Sequence, residues 1–179
     1  MKVMEKNIPY NEGGYMIRPM KESDNNQIAS LVRCVVDEFG ASRTNSVYDD
    51  PATDHVYNMF QGKNAEYWVI EHAGKVVGGC GFYPTEGLPD GCAEMVKFYL
   101  LPVARGKHLG ARIFDMVAER AKAAGYTSLY LETVPLFAKA VAMYQARGFH
   151  FLPVAIGNTG HSAPSIFMRK SLCKEPVCQ

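Results

Sequence analysis

One segment constrains the fold more than any other: a strand-like run enters a basic loop with two glycines, and a helix follows. The run extends from Cys92 to Leu101, and the loop and helix start read "ARGKHLGARIF" from Ala104 to Phe114. The apolar residues that recur at helical spacing are Leu109, Ile113, Met116, Val117, Ala121 and Ala124. Gly125 ends the stripe. A strand leading into an amphipathic helix predicts a sheet covered by helices.

The rest of the chain divides into similar segments. It contains a strand at 15–20, a helix at 28–39 ended by Gly40, a short helix after Asp50 and Pro51, a hairpin turning at Ala73 and Gly74, a strand at 128–132, a helix from Pro135 to Gly148, and two strands around "FHFLPV" and "SIFMRK". Ser23 or Asp24 is placed to cap the first helix, and Asp50 the second.

This order predicts one α/β (α+β) domain over residues 1–179. We expect a mixed central sheet of about six to seven strands flanked by about four helices. Residues 1–14 and 173–179 are predicted to be flexible ends.

Composition and charge exclude several classes of protein. The net charge of +1 gives no strong field for a polyanion, so bulk nucleic-acid binding is not expected. The five cysteines are odd in number and lack the spacing of a zinc site or a disulfide framework. No apolar run approaches the roughly 20 residues of a membrane span, and the start lacks the apolar centre of a signal peptide. We therefore expect a soluble cytoplasmic protein without a metal.

The glycine loop has the features of a phosphate site. Backbone N–H groups at a helix start have no partner within the helix and lie at the positive end of its dipole. Gly106 and Gly110 remove side chains that would block an anion, and Arg105, Lys107 and His108 add positive or switchable charge. A plain turn with solvated cations explains the spacing equally well. The P-loop and dinucleotide patterns are absent, and "GGCG" (residues 78–81) indicates a strand with bulges or close packing.

Two blocks together resemble the GNAT superfamily of acyl-CoA-dependent N-acetyltransferases. In "VKFYLLPVARGKHLGARIF", Arg105, Gly106 and Gly110 match the family's pyrophosphate motif, whereas His108 occupies the usual middle glycine. In the second block, "AVAMYQARGF", the matching residues are Ala140, Met143, Tyr144, Gly148 and Phe149, and Phe137 stands where an asparagine is common. The resemblance covers the whole predicted element order and implies a GNAT-like fold.

The resemblance also implies a cofactor site. Acetyl-CoA would place its diphosphate on the loop and its pantetheine arm along the strand end at Phe98 to Leu101, where the Leu100 N–H meets the thioester carbonyl. The residues implied to bind it are Phe98, Leu100, Arg105, Gly106, Lys107, His108, Leu109, Gly110, Ala111 and Thr133.

Amine acetylation also needs a base and an acid. A free alkyl amine with a pKa near 10 is protonated at neutral pH, so a carboxylate or a water held by one must take its proton. We assign this role to Glu94, which we expect to share an apolar face with Val96, Phe98 and Leu100 that raises its pKa. A polar residue at a strand end is the alternative. By the resemblance, Tyr144 is the acid that protonates the thiolate, and a core tyrosine is its alternative.

The resemblance places the acceptor between segments 39–54 and 157–165. His161 in the second segment is a candidate substrate-binding residue, and we assign Asp50 to helix capping. The acceptor is left open between a small amine, an amino acid, and a peptide N-terminus or lysine. A coenzyme A binding or sensing module with little activity is the alternative function. Edge strands allow a homodimer.

Overall fold

A computed structural model describes residues 10–173, so most of the two predicted flexible ends lies outside the described residues. The elements are β1 (Tyr10–Glu12), β2 (Tyr15–Pro19), α1 (Asn25–Glu38), α2 (Val56–Met59), β3 (Glu66–His72), β4 (Lys75–Tyr83), β5 (Cys92–Leu100), α3 (Leu109–Ala123), β6 (Ser128–Thr133), α4 (Ala138–Ala146), β7 (His150–Leu152) and β8 (Ile166–Ser171). Short 3₁₀ turns at Pro51–His55 and Pro135–Phe137 lead directly into α2 and α4. A third, at Pro102–Ala104, precedes the glycine loop. No helix among these residues is long and apolar enough to cross a membrane.

The strands form one mixed sheet in the order β1-β2-β3-β4-β5-β6-β8-β7. β5 and β6 are parallel, and the other neighbours are antiparallel. The sheet has eight strands, slightly more than predicted. The additional strand is β1, which has three residues and joins β2 through Gly13 and Gly14, both at positive φ. A strand of three residues is too short to show the alternation of apolar and polar residues that identifies a strand in a sequence.

Two apolar layers cover the sheet. On one face α3 and α4 bury residues such as Leu109, Ile113 and Phe114 against Met95 and Leu131. On the other face α1 and α2 pack their apolar residues against β3 and β4: Ile28, Leu31, Val32, Val35 and Val56. The predicted periodic stripes of α1 and α3 are therefore the core-facing sides of these helices.

The glycines of β4 allow a side chain to pass across the strand. The Tyr67 ring lies directly against Gly79 and Gly81, and a Cβ atom on Gly81 would stand 2.6 Å from the Tyr67 Cδ2 atom. The Tyr67 hydroxyl thereby reaches over β4 and donates a hydrogen bond of 2.8 Å to the Lys97 carbonyl of β5. The prediction of close packing at "GGCG" is confirmed.

The two predicted helix caps have different outcomes. Asp50 accepts a hydrogen bond of 2.9 Å from the Ala52 N–H, as expected of a cap. Of the two candidates for α1, Ser23 and Asp24, Asp24 occupies the N-cap position, but its side chain makes no capping hydrogen bond to α1. Its carboxylate accepts from the Lys21 N–H at 2.7 Å and pairs with Arg18 at 2.7 and 2.9 Å. A nearby guanidinium offers a buried carboxylate two charge-assisted bonds, which outweigh a single helix N–H.

Candidate active site

A gap opens in the sheet between β5 and β6. The two strands pair only from Cys92 to Glu94 on β5 and from Ser128 to Tyr130 on β6. Beyond that point β5 continues beside β4, and β6 beside β8. The Leu101 N–H donates to the Val77 carbonyl of β4 at 2.8 Å. Because successive N–H groups along a strand point to opposite sides, the Leu100 N–H is directed into the gap.

A β-bulge at Lys97 changes which side chains share a face. Lys97 has a φ of 50°, and the pairing of β5 with β4 shifts its register between Gly79 and Gly81. Before the bulge, Val96 packs on the α1 side of the sheet. Glu94, two residues earlier on the same strand, lies on the same face as Val96. After it, Phe98 and Leu100 pack on the α3 side. The expectation that Glu94 shares a face with Phe98 and Leu100 is therefore wrong, because the bulge inverts the alternation.

The glycine loop leads into the N-terminus of α3. The first helical hydrogen bond runs from the Arg112 N–H to the His108 carbonyl at 3.0 Å, so the N–H groups of Leu109, Gly110 and Ala111 precede the helical ladder. Gly106 has a φ of 69°, and the position of a Cβ atom there is open space. His108 adopts a left-handed conformation with a φ of 59°, and its side chain is exposed. The loop thus keeps the backbone shape of a glycine at this position and leaves the His108 side chain exposed.

Arg105 and Lys107 both lie in the glycine loop but contact different parts of the protein. The Arg105 guanidinium forms a bidentate pair with Glu38 of α1 at 2.5 and 2.8 Å, and its Nε donates to the Leu100 carbonyl at 2.9 Å. Arg105 therefore ties the loop to α1 and to the end of β5. The exposed Lys107 places its ammonium 5.9 Å from the centre of the Tyr15 ring.

Tyr144 lies on α4 in an aromatic cluster beside the gap. Its ring stacks on Phe114 with the centroids 5.2 Å apart, and it contacts Phe98 at 6.2 Å. Gly110 packs against Phe98 and Leu100, so it brings the start of α3 close to the same strand end. Burial raises the pKa of the Tyr144 phenol, which keeps it protonated at neutral pH. Tyr144 lines the same cavity as Leu100 and Glu94.

Glu94 stands where the gap begins. Burial, the largest cause, raises the pKa of its carboxyl to about 7, a hydrogen bond from Thr85 opposes this shift, and nearby Glu132 adds to it. The Thr85 hydroxyl donates to Glu94 at 2.5 Å. Glu132 accepts from the Tyr130 hydroxyl at 2.7 Å and from the Thr159 hydroxyl at 3.0 Å. Two carboxyl groups from neighbouring strands therefore line this end of the cavity.

Three loops meet over these carboxyl groups. The Asn45 carbonyl accepts from the N–H groups of Ser162 and Ala163, and the Asn158 N–H donates to the Glu86 carbonyl. His161 Nε2 lies 3.2 Å from the second oxygen of Asp50, so this carboxylate both caps a helix turn and holds His161. The expectation for Asp50 is confirmed but incomplete. Segments 39–54 and 157–165 do meet, and the loop at 84–91 joins them.

Lys97 is a polar group that the sequence reasoning missed. Its ammonium donates to the Thr53 hydroxyl at 3.0 Å, and only 8% of the residue is exposed. Burial lowers the pKa of Lys97 to about 8, whereas Asp50 and Glu94 act in the opposite direction. A lysine inside the apolar run "CAEMVKFYL" was the available signal. The sequence reasoning also missed Glu132, a carboxyl residue at the end of the strand predicted at 128–132.

One cavity of about 780 Å³ joins the gap, the glycine loop and the three loops. Its wall includes these residues from the predicted site: Glu94, Phe98, Leu100, Arg105, Gly106, His108, Gly110, Ala111, Thr133, Tyr144 and His161. Thr133 ends β6, and its carbonyl accepts from the Ser165 N–H at 3.1 Å. Lys107 and Leu109 are not in the wall as the structure stands; Lys107 is exposed, and the Leu109 side chain is buried in the core. Phe137 lines the wall and contacts Phe39 and Tyr99 edge to face.

Comparison with known proteins matches this sequence to acetyltransferases. The acetyltransferase (GNAT) family matches residues 24–149. The uncharacterized N-acetyltransferase YjgM of Escherichia coli K12 is 34% identical over 158 residues, which cover 88% of this chain and 95% of that protein.

Solved structures agree in fold. An acetyltransferase of the GNAT family from Staphylococcus aureus Mu50 superposes with a TM-score of 0.77 at 16% identity, covering 89% of this chain and 99% of that one. The Salmonella typhimurium protein yncA, solved with its cofactor acetyl-CoA, gives a TM-score of 0.69 at 20% identity, covering 92% and 98%. The overall fold is therefore shared with solved acetyltransferases.

Proposed function

The chain belongs to the acetyltransferase (GNAT) family and is an acyltransferase, and from this premise we propose that it transfers the acetyl group of acetyl-CoA to a primary amine by direct attack within a ternary complex. The observation that carries the proposal is one continuous cavity that reaches the α3 N-terminus, the gap beside Leu100 and the carboxyl group of Glu94. A diphosphate requires the helix N-terminus, a thioester requires the strand edge in the gap, and an amine requires the carboxyl group.

The residues present fit an acyl-CoA. The N–H groups of Leu109, Gly110 and Ala111 precede the helical ladder at the positive end of α3, and a Cβ atom at Gly106 would project into open space. The gap between β5 and β6 exposes strand edges to which the amides of an extended arm can hydrogen-bond. In this proposal Arg105 shapes the loop through Glu38, and the backbone of residues 106–111 supplies most of the donors to the diphosphate.

The acyl transfer needs three actions from the protein. Glu94, with its pKa near 7, takes a proton from the amine, whose nitrogen attacks the thioester carbonyl carbon. The Leu100 N–H, fixed in the gap, stabilises the charge that develops on the carbonyl oxygen, an effect worth about 3 kcal/mol for one donor. The carbon–sulfur bond then breaks, and Tyr144 donates its proton to the departing sulfur. The attacking nitrogen loses its second proton to solvent as the neutral amide forms, and solvent returns a proton to Tyr144.

Thermal unfolding with coenzyme A and acetyl-CoA tests cofactor binding first. At a free ligand concentration about 100 times Kd, linkage predicts a stabilisation of roughly 2.7 kcal/mol, or a Tm rise of about 5 to 10 °C for a chain of this size. A panel of amines scored by release of the coenzyme A thiol then tests transfer. Absence of a Tm rise at millimolar acetyl-CoA, together with absence of thiol release, contradicts the proposal. A Tm rise without turnover of any amine supports the coenzyme A binding module instead.

A further inference from the structure

The acceptor end of the cavity carries a buried cation as well as carboxyl groups. Lys97 and Glu94 both lie on β5, three residues apart, and both line the cavity with Glu132. Lys97 donates to the neutral Thr53 hydroxyl, which in turn donates to the Val47 carbonyl at 2.7 Å. Among residues 10–173, no carboxylate lies within 4.0 Å of the Lys97 ammonium.

This arrangement leaves hydrogen-bonding capacity at Lys97. A lysine ammonium has three N–H donors, and the described residues take one of them. A buried cation is costly unless it is paired, and an apolar side chain of similar size would be cheaper for packing alone. Asp50 and Glu94 are the acidic groups that favour its charge from a longer distance, and Arg33, paired with Asp54, opposes it. The remaining donors suit an anionic group of a ligand.

We propose that the acceptor is a small amino acid: its amine is held at Glu94, and its carboxylate is bound by the Lys97 ammonium. This inference rests on the proposed function and adds the substrate class to it. Carboxyl groups alone would suit any amine, whereas an adjacent cation disfavours a plain cationic amine and favours a molecule that carries both charges. Lys97 is then a specificity-determining residue, and the bulge is the backbone feature that directs it into the cavity.

The strained backbone at this position is consistent with such a role. Lys97 is one of four described non-glycine residues with a positive φ, and it is the one inside a strand. A left-handed conformation of this kind is strained for a residue that carries a side chain. It is held in place by the Tyr67 hydroxyl on the Lys97 carbonyl and by Thr53 on the side chain. The structure therefore fixes the ammonium at a set position.

The test compares matched acceptors in two proteins. L-amino acids and their amides differ in the carboxylate, and kcat/KM for each pair is measured by thiol release with the wild type and with Lys97→Met. We expect the wild type to favour an amino acid over its amide by at least about 10-fold, and the variant to lose at least about 10-fold of that ratio. Because amine basicity affects both proteins equally, the change in the ratio isolates the carboxylate contact.

Two further variants keep the test decisive. Lys97→Arg retains the charge and is expected to keep part of the preference, whereas Lys97→Gln is expected to lose it. A Tm shift with acetyl-CoA equal to that of the wild type shows that the variants are folded and bind the cofactor. If Lys97→Met does not fold, the glutamine variant and the wild-type panel decide.

The outcomes separate this inference from the function it rests on. A wild type that acetylates amides or plain amines as well as amino acids overturns the substrate class and leaves the acetyltransferase proposal intact. An amino acid preference that persists in Lys97→Met and Lys97→Gln overturns the role of Lys97. A protein that neither binds acetyl-CoA nor releases thiol contradicts both.

Discussion

Arg105 and Glu38 are 67 residues apart in sequence, yet their side chains form a bidentate ion pair of 2.5 and 2.8 Å. The pair joins the glycine loop before α3 to the C-terminal end of α1 on the opposite layer. The same guanidinium holds the Leu100 carbonyl through its Nε atom and lies 5.2 Å from the centre of the Phe39 ring. One side chain therefore sets the relative position of the glycine loop and the end of β5.

This pairing predicts a non-additive effect on coenzyme A binding. If Arg105 acts by holding the loop to α1, Arg105→Ala and Glu38→Gln should each raise the Kd for coenzyme A by a factor of about 3 to 10, and the double variant should be little worse than Arg105→Ala. Titration calorimetry of the three variants measures this coupling. A Glu38→Gln protein with wild-type affinity, beside a much weaker Arg105→Ala protein, would mean that Arg105 contacts the diphosphate directly.

Tyr144→Phe tests the acid. The change removes one hydroxyl from an aromatic cluster and leaves the stacking on Phe114 in place, so stability should change little. We expect kcat to fall by about 100-fold or more, the range for a lost general acid, with the Tm shift for acetyl-CoA retained. Tyr126→Phe, which loses a hydroxyl bonded to the Asn64 carbonyl outside the cavity wall, is the matched control. Full turnover by Tyr144→Phe would leave this tyrosine as a packing residue.

The raised pKa of Glu94 predicts a pH dependence. A base must be deprotonated, so kcat/KM should rise with pH and level off above about 7, where Glu94 has lost its proton. Glu94→Gln should lower kcat/KM by about 100-fold and remove this inflection. The Thr85 hydroxyl stabilises the carboxylate, so Thr85→Val should move the inflection to higher pH. An inflection that stays in place in both variants would assign it to another group.

The left-handed backbone at His108 predicts that coenzyme A binding depends on which residue occupies this position. Its φ of 59° is readily adopted by glycine and asparagine and is strained for a β-branched residue. His108→Val should therefore distort the loop, at a cost of about 1 to 3 kcal/mol, and weaken coenzyme A binding by about 10-fold or more. His108→Gly and His108→Asn should stay within about threefold of the wild-type Kd, because the exposed imidazole is not needed. A similar loss in all three variants would give the imidazole itself a binding role.

Locally encoded features of this protein can be predicted from its sequence. The stripes of α1 and α3, the hairpin at Ala73 and Gly74, and the cap at Asp50 depend on residues within a few positions of one another. The glycine loop is also local, because a strand end, a positive φ at Gly106 and a helix start follow in direct succession. These signals, with the second block around Tyr144, were sufficient to identify the family and to place the glycine loop between β5 and α3.

The tertiary structure decided which groups surround Glu94 in the cavity. Nothing near Lys97 in sequence predicts its positive φ; Tyr67, reaching across the glycines of β4, supplies the partner for its carbonyl. That bulge separates Glu94 from Phe98 and directs Lys97 into the cavity. Asp50 and His161 meet because loops 111 residues apart pack together. Periodicity fixes each element's buried side, whereas contacts between distant segments fix bulges and charge clusters, because their stabilisation exists only once the sheet has formed.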